Sequence, residues 1–260
     1  MGIKEELEKS KEYLIKTVEQ NGERIVELTP DNVARVEAMI QNDSAYIRAF
    51  DKEARPERYS RKQTEEFKYG GSTAYWTTQL KDLLIKGKSV SNDYYSFDNV
   101  IEYLVASIDR ENSTHLNADG KNGRSEIYER IVNCKEQLID WLKNQNKQYE
   151  IIDCICKKTS GEKGRENLSF ASKFAHYAAF YLFEGTDLQD GFSIYDGILI
   201  KALPKYIKAF NIQTEDYKKD YKIYQNAIDS IISAAEKQYG ERISRNGFDH
   251  LLWYYHKGRQ

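Results

Sequence analysis

Lys173 and His176 stand one helical turn apart inside NLSFASKFAHYAAFYLF (residues 167–183), a stretch with almost nothing else polar on any face. A helix that is apolar all round is buried, and lysine is almost never fully buried without a partner. Two structural uses suit such a lysine: its stem can run along apolar neighbours to the surface, or its head can close an ion pair. A chemical use suits it as well. Desolvation pushes an amine toward its neutral form, and a neutral amine is a nucleophile. With Asn167 as the expected N-cap, Lys173 falls near the second turn, out of reach of the C-terminal carbonyls that a cation favours. The charge therefore does nothing for the helix itself. Further on, FSIYDGILI (residues 192–200) presents Asp196 where an apolar segment becomes a new helix. Aspartate is an ordinary N-cap there, and it is also a carboxylate that could face the lysine across a helical hairpin.

The pair resembles that of a DNA glycosylase family, in which an amine and a carboxylate together cleave an N-glycosidic bond. The carboxylate stabilises the oxocarbenium-like sugar of the transition state. The amine attacks the anomeric carbon, expels the base and collapses to a Schiff base, from which β-elimination nicks the strand. A monofunctional enzyme needs only the carboxylate and a water. An ionised Asp196 held against the resting amine would favour the ammonium, so the roles fit where Asp196 lies by the sugar or takes the lysine proton. His176, Tyr177 and Phe180 share the lysine's face, and Phe192 and Tyr195 flank the aspartate. The same resemblance implies that they line a pocket for a flipped base, where aromatic faces stack and polar edges select. A core histidine satisfied by a backbone carbonyl suits His176 equally. Lys201, Lys205 and Lys208 suit phosphate contacts, or simply a solvated helix face.

The elements that must carry these residues read as helices. KEELEKSKEYLIKTVEQ is charged and amphipathic, and TPDNVARVEAMIQN opens with Thr29 as N-cap and Pro30 at the first helical position. YWTTQLKDLLIKG puts Trp76, Leu80, Leu83 and Leu84 on one stripe and stops at Gly87. FDNVIEYLVASIDRE and SEIYERIVNCKEQLIDWLKNQ keep the same i, i+3, i+4 spacing. After the apolar helix come GILIKALPKYIKAF, DYKIYQNAIDSIISAAEKQYG and GFDHLLWYYHK. RIVELT, residues 24–29, is the one strand-like alternation and is too short for a substantial sheet. The expected fold class is all-α. Two Gly- and Asn-rich loops, residues 112–124 and 157–169, punctuate the chain. The second suggests a hinge between an N-terminal helical layer, 1–156, and a C-terminal helical unit, 157–260, unless the two form one continuous domain.

Composition narrows the function classes. At 260 residues with 40% hydrophobic and 31% charged side chains, the chain can bury a sizeable core. No apolar run is long enough to span a bilayer, and the first residues lack the apolar core of a signal peptide, so the cytoplasm is the expected location. Cys134, Cys154 and Cys156 have no metal spacing, and the four histidines are widely separated. Reduced structural thiols are expected, with no metal and no cofactor. The net charge of −2 argues against coating nucleic acid electrostatically, although residues 157–260 carry 16 Lys+Arg against 13 Asp+Glu.

SKFAHYAAFYLF followed by FSIYDGILI resembles the helix-hairpin-helix–GPD superfamily of DNA glycosylases, most closely its 8-oxoguanine glycosylase branch, over roughly residues 157–258. That family has a catalytic lysine in a K-x-A context at the start of an apolar helix and a catalytic aspartate heading the next. The resemblance assigns those roles to Lys173, with Ala175 as the small residue, and to Asp196. The chain departs from the family pattern in having ENLSFAS where the hairpin usually reads Leu-Pro-Gly-x-Gly, and Ser193 in the region of the proline before the aspartate. The resemblance implies a helical base-excision glycosylase acting on an 8-oxoguanine-like purine in DNA. It also implies protein partners of the kind encoded in bacterial antiphage defence operons. Two other functions stay open on the residues: the same pair acting on a nucleotide, nucleoside or RNA, and a non-catalytic helical module that binds nucleic acid or protein.

Overall fold

The computed structural model describes residues 15–40, 72–87, 95–112, 114–117, 123–144, 146–160 and 166–257. In chain order these give a hairpin of β1 (Thr17–Gln20) and β2 (Glu23–Val26), helix α1 (30–40), α2 (Thr73–Leu84), α3 (Phe97–Asn112), α4 (Gly123–Asn133), α5 (Lys135–Lys143), α6 (Gln148–Cys156), α7 (Leu168–Leu182), α8 (Gly197–Ala209), α9 (Tyr221–Tyr239) and α10 (Arg245–His256). The protein is mostly helical, with one small two-stranded sheet among the described residues. No described helix is long and apolar enough to cross a membrane. The chain divides into two compact units, one from residues 1–60 with 195–260 and the other from 61–194. This division differs from the expected one at residue 156, because α6 and α7 pack on each other and α7 also packs on α2 and α3. That ties residues 157–194 to the middle of the chain.

In the first unit, β1 pairs antiparallel with β2 in the register Thr17↔Val26 to Gln20↔Glu23. The turn between them is Asn21–Gly22, with φ of 51° and 74°. Two successive positive φ values make the twist that a tight hairpin needs, and Asn-Gly is the pair that adopts them most readily. The amphipathic helix expected over residues 4–20 is corrected here: its last four residues form β1, and residues 4–14 lie outside the described ones. Thr29 and Pro30 begin α1 as expected, the Thr29 hydroxyl accepting from Asn32 N at 3.4 Å. The Asn32 side chain is fully buried and clamps the hairpin to α1. Its Oδ1 accepts from Lys16 N, and its Nδ2 donates to the Lys16 and Glu27 carbonyls at 2.8–3.0 Å.

Helix α8 is central to this unit, packing on α10, α9 and β2. Its Tyr206 is fully buried, accepts from Val26 N at 3.3 Å and meets His256 Nε2 at 3.1 Å. Burial pushes the Tyr206 phenol far above its ordinary range, so it stays a neutral hydroxyl. Pro204 lies inside α8, lacks the N–H that a helical residue donates and is exposed. The two following helices are bounded by polar caps, Asp220 on Ile223 N and Ser244 on Gly247 N. Gly240 closes α9 at φ 79°.

In the second unit, α7 is wrapped by α2, α3, α5 and α6, which explains why its sequence is apolar on every face. Phe170, Phe174, Ala175, Ala178 and Ala179 are all buried. Each buried phenylalanine contributes about 2 kcal/mol of transfer free energy. On α2 the buried stripe is Thr73, Trp76, Thr77 and Leu80, with Trp76 stacked 4.6 Å from Tyr103. Leu83 and Leu84, expected on that stripe, are only half-buried. The long helix expected over residues 125–145 breaks at Cys134, with α4 and α5 on either side.

Candidate functional site

Lys173 is 5% exposed in the middle of α7, between buried Ser172 and Phe174. Its Nζ donates to the Ser169 hydroxyl, one turn earlier, at 3.1 Å. The Ser172 hydroxyl turns back to the Ser169 carbonyl at 3.1 Å. Asn167 occupies the N-cap position as expected, but its side chain makes no capping bond, and its backbone N–H donates to the Cys156 carbonyl at 2.9 Å. Ser169 therefore sits in the uncapped first turn, half-buried, with the buried amine on its hydroxyl. Serine has two acceptor lone pairs and one rotatable donor, so it can accept from an ammonium or donate to a neutral amine. A hydrogen bond of this kind fixes where the amine points in either protonation state.

His176 is 3% exposed, and its Nδ1 lies 2.9 Å from the Phe192 carbonyl oxygen. A carbonyl accepts only, so Nδ1 carries the proton. The ring stacks on Phe180 at 5.9 Å and meets Tyr177 edge-on at 5.4 Å. Phe192 is 1% exposed, and what it presents to the histidine is its backbone. Tyr177 and Phe180 are half-buried, the Tyr177 hydroxyl donating to Asn112 Oδ1 at 2.9 Å. Next to Phe180, burial together with Glu111 and Glu184 pushes the Tyr181 phenol up and keeps it neutral. The second unit thus brings Lys173, His176, Tyr177, Phe180 and Phe192 onto one helix and the segment that follows it.

The remaining expected site residues belong to the first unit, since the chain divides between Ile194 and Tyr195. Asp196 is the N-cap of α8, its Oδ1 accepting from Ile198 N at 2.7 Å. Tyr195 donates to the Lys218 carbonyl and sets its ring edge-on against Tyr224 at 5.0 Å. Burial, with Asp216 nearby, pushes its phenol up. Lys201, Lys205 and Lys208 are all exposed, and their i, i+4, i+7 spacing puts them on one face of α8. Lys208 also pairs with Glu23 at 2.7 Å. In the same unit Gln213, Thr214, Glu215, Ile223, Asn226 and Ser230 line an open groove of about 440 Å³ that includes none of the expected site residues.

Sequence reasoning missed two partners of the site. Ser169 was legible, because S-x-x-x-K on a helix places a hydroxyl beside an amine. Asn112 was not legible, because it reaches Tyr177 from another helix, 65 residues earlier. Among the described residues, no group of three or more His, Cys, Asp or Glu side chains is placed to hold a metal ion. Comparison of the chain with protein-family models, with curated proteins and with solved structures finds no match.

Proposed function

We propose that this protein is a base-excision N-glycosylase acting on a modified purine of the 8-oxoguanine kind in DNA. Lys173 is its nucleophile, and lyase activity follows from the Schiff base. The observation that carries the reading is the buried Lys173 amine held on the Ser169 hydroxyl within an apolar helix. Nζ attacks C1′, the bond from C1′ to the base breaks, and the purine leaves with the electron pair and takes up a proton. Loss of a proton from nitrogen and opening of the sugar ring then give the imine. The exposed Lys201 and Lys205 supply phosphate contacts from α8. Tyr177 and Phe180, the half-buried aromatic groups beside the lysine, supply stacking for the base.

The carboxylate role, which the resemblance gives to Asp196, is tested separately. Asp196→Asn keeps an N-cap side chain while removing the charge. The experiment is release of 8-oxoguanine from a duplex oligonucleotide by the wild-type chain, Lys173→Ala and Asp196→Asn. Release by the wild type, abolished by Lys173→Ala and reduced at least about 100-fold by Asp196→Asn, is expected. Absence of release from this base and from a panel of other modified purines overturns the proposal.

A further inference from the structure

Three thiols take no part in that chemistry, and two of them meet. Cys134 fills the break between α4 and α5, and Cys154 lies in the last turn of α6. Helix α6 packs on both α4 and α5, so the two sulfurs are presented by helices that brace one another. Their Sγ atoms are 2.7 Å apart, against about 2.05 Å for a sulfur–sulfur bond. Both residues are free thiols and both are half-buried, within reach of a small oxidant. Cys156 is two residues further along α6, about 200° round the helix from Cys154, with its Sγ 3.9 Å from the Asp153 carbonyl. It faces away from the pair.

We infer that Cys134 and Cys154 form an oxidative modification site, a dithiol that hydrogen peroxide converts to an intramolecular disulfide. Burial first, and then the neighbouring Cys134, push the Cys154 thiol up to about 12. Cys154 therefore rests as a protonated thiol. One sulfur of the pair takes a hydroxyl from the peroxide and becomes a sulfenic acid, and the hydroxide released leaves as water with that sulfur's thiol proton. The other Sγ then displaces the hydroxyl from the sulfenic sulfur, and its proton leaves with that hydroxyl as a second water. Two thiols lose two protons and two electrons, and one peroxide is reduced to two waters. The bond closes the chain from residue 134 to 154 and ties the α4–α5 junction to α6.

The test is independent of the glycosylase reading. The full chain is treated with hydrogen peroxide, alkylated and digested with trypsin without reduction. The expected product links the peptide 131–135 to the peptide 148–157 alkylated once, on Cys156, and is about 2 Da lighter than the two reduced peptides plus that one alkyl group. Because the second peptide holds both Cys154 and Cys156, the linkage is assigned with variants whose fold is checked by circular dichroism. It is expected to persist in Cys156→Ser and to vanish in Cys134→Ser and Cys154→Ser. Linkage through Cys156, a disulfide between chains, unlinked sulfinic acids or unmodified thiols each overturn the inference. Should either of the pair's serine variants fail to fold, fragmentation of the linked wild-type peptides and the Cys156→Ser map decide it alone.

Discussion

Two opposing demands meet on the side chain of Lys173. Its stem lies among buried apolar side chains, while its amine is held by a hydrogen bond to the Ser169 hydroxyl at 3.1 Å, an interaction worth about 1 kcal/mol. Ser169→Ala is therefore expected to leave the amine buried with less orientation. Imine formation should slow in single-turnover assays, while Lys173→Ala should abolish it altogether. A variant that loses nothing in that assay would remove Ser169 from the chemistry. Asn32 is a second residue where polarity and burial conflict, and there the conflict is resolved by three hydrogen bonds to backbone groups. Asn32→Ala leaves those groups unsatisfied in a dry site and is expected to cost about 2–3 kcal/mol in urea unfolding. A cost within about 0.5 kcal/mol would show that water replaces the side chain. His176 illustrates what sequence alone leaves open: spacing put it beside Lys173, but only the fold brings it to the Phe192 carbonyl.

Helices carry most of the local information in this chain, and their termini are where it can be tested. Gly123, at the start of α4, approaches the Leu116 carbonyl so closely that a Cβ would lie 2.0 Å from its oxygen. Gly123→Ala is expected to destabilise by about 1–3 kcal/mol, since backbone must shift. Gly197, at the start of α8, meets nothing within 4 Å and has no positive φ. Gly197→Ala is therefore expected to stabilise by about 0.5–1 kcal/mol through the unfolded chain. Thermal unfolding of the two variants distinguishes them by sign. The apolar periodicity of α3, α9 and α10 and the start of α1 were legible because capping and i, i+3, i+4 patterning agree there. The first hairpin was obscured because its first strand continues a run of charged, helix-favouring residues. The Asn21–Gly22 pair was the signal that could have found it. The break at Cys134 was also hidden, since IVNCKEQL keeps a helical pattern while the backbone turns.

For the molecule as a whole, the division of the chain was the least legible feature. Residues 15–40 contribute Ile25, Val26 and Leu28 to a core with α8 and α10, across more than 160 residues of intervening sequence. No local pattern encodes a pairing at that separation. The candidate lysine was legible, because a charge in an all-apolar helix stands out in one dimension, whereas the surroundings that give it meaning come from other helices. On the proposed function, a net charge of −2 leaves DNA binding to a local feature, for which the exposed α8 lysines are the candidates. The double variant Lys201→Glu, Lys205→Glu is expected to weaken duplex binding and to lower the slope of log K against log salt by about 2, close to one per phosphate contact. An unchanged slope would place the DNA elsewhere.

Borohydride trapping on abasic-site DNA addresses the nucleophile itself, with the wild-type chain and Lys173→Ala side by side. A covalent protein–DNA adduct formed by the wild type and missing from the variant is the expected result. No adduct with the wild type, or one that survives loss of Lys173, would contradict its assignment as the Schiff-base residue.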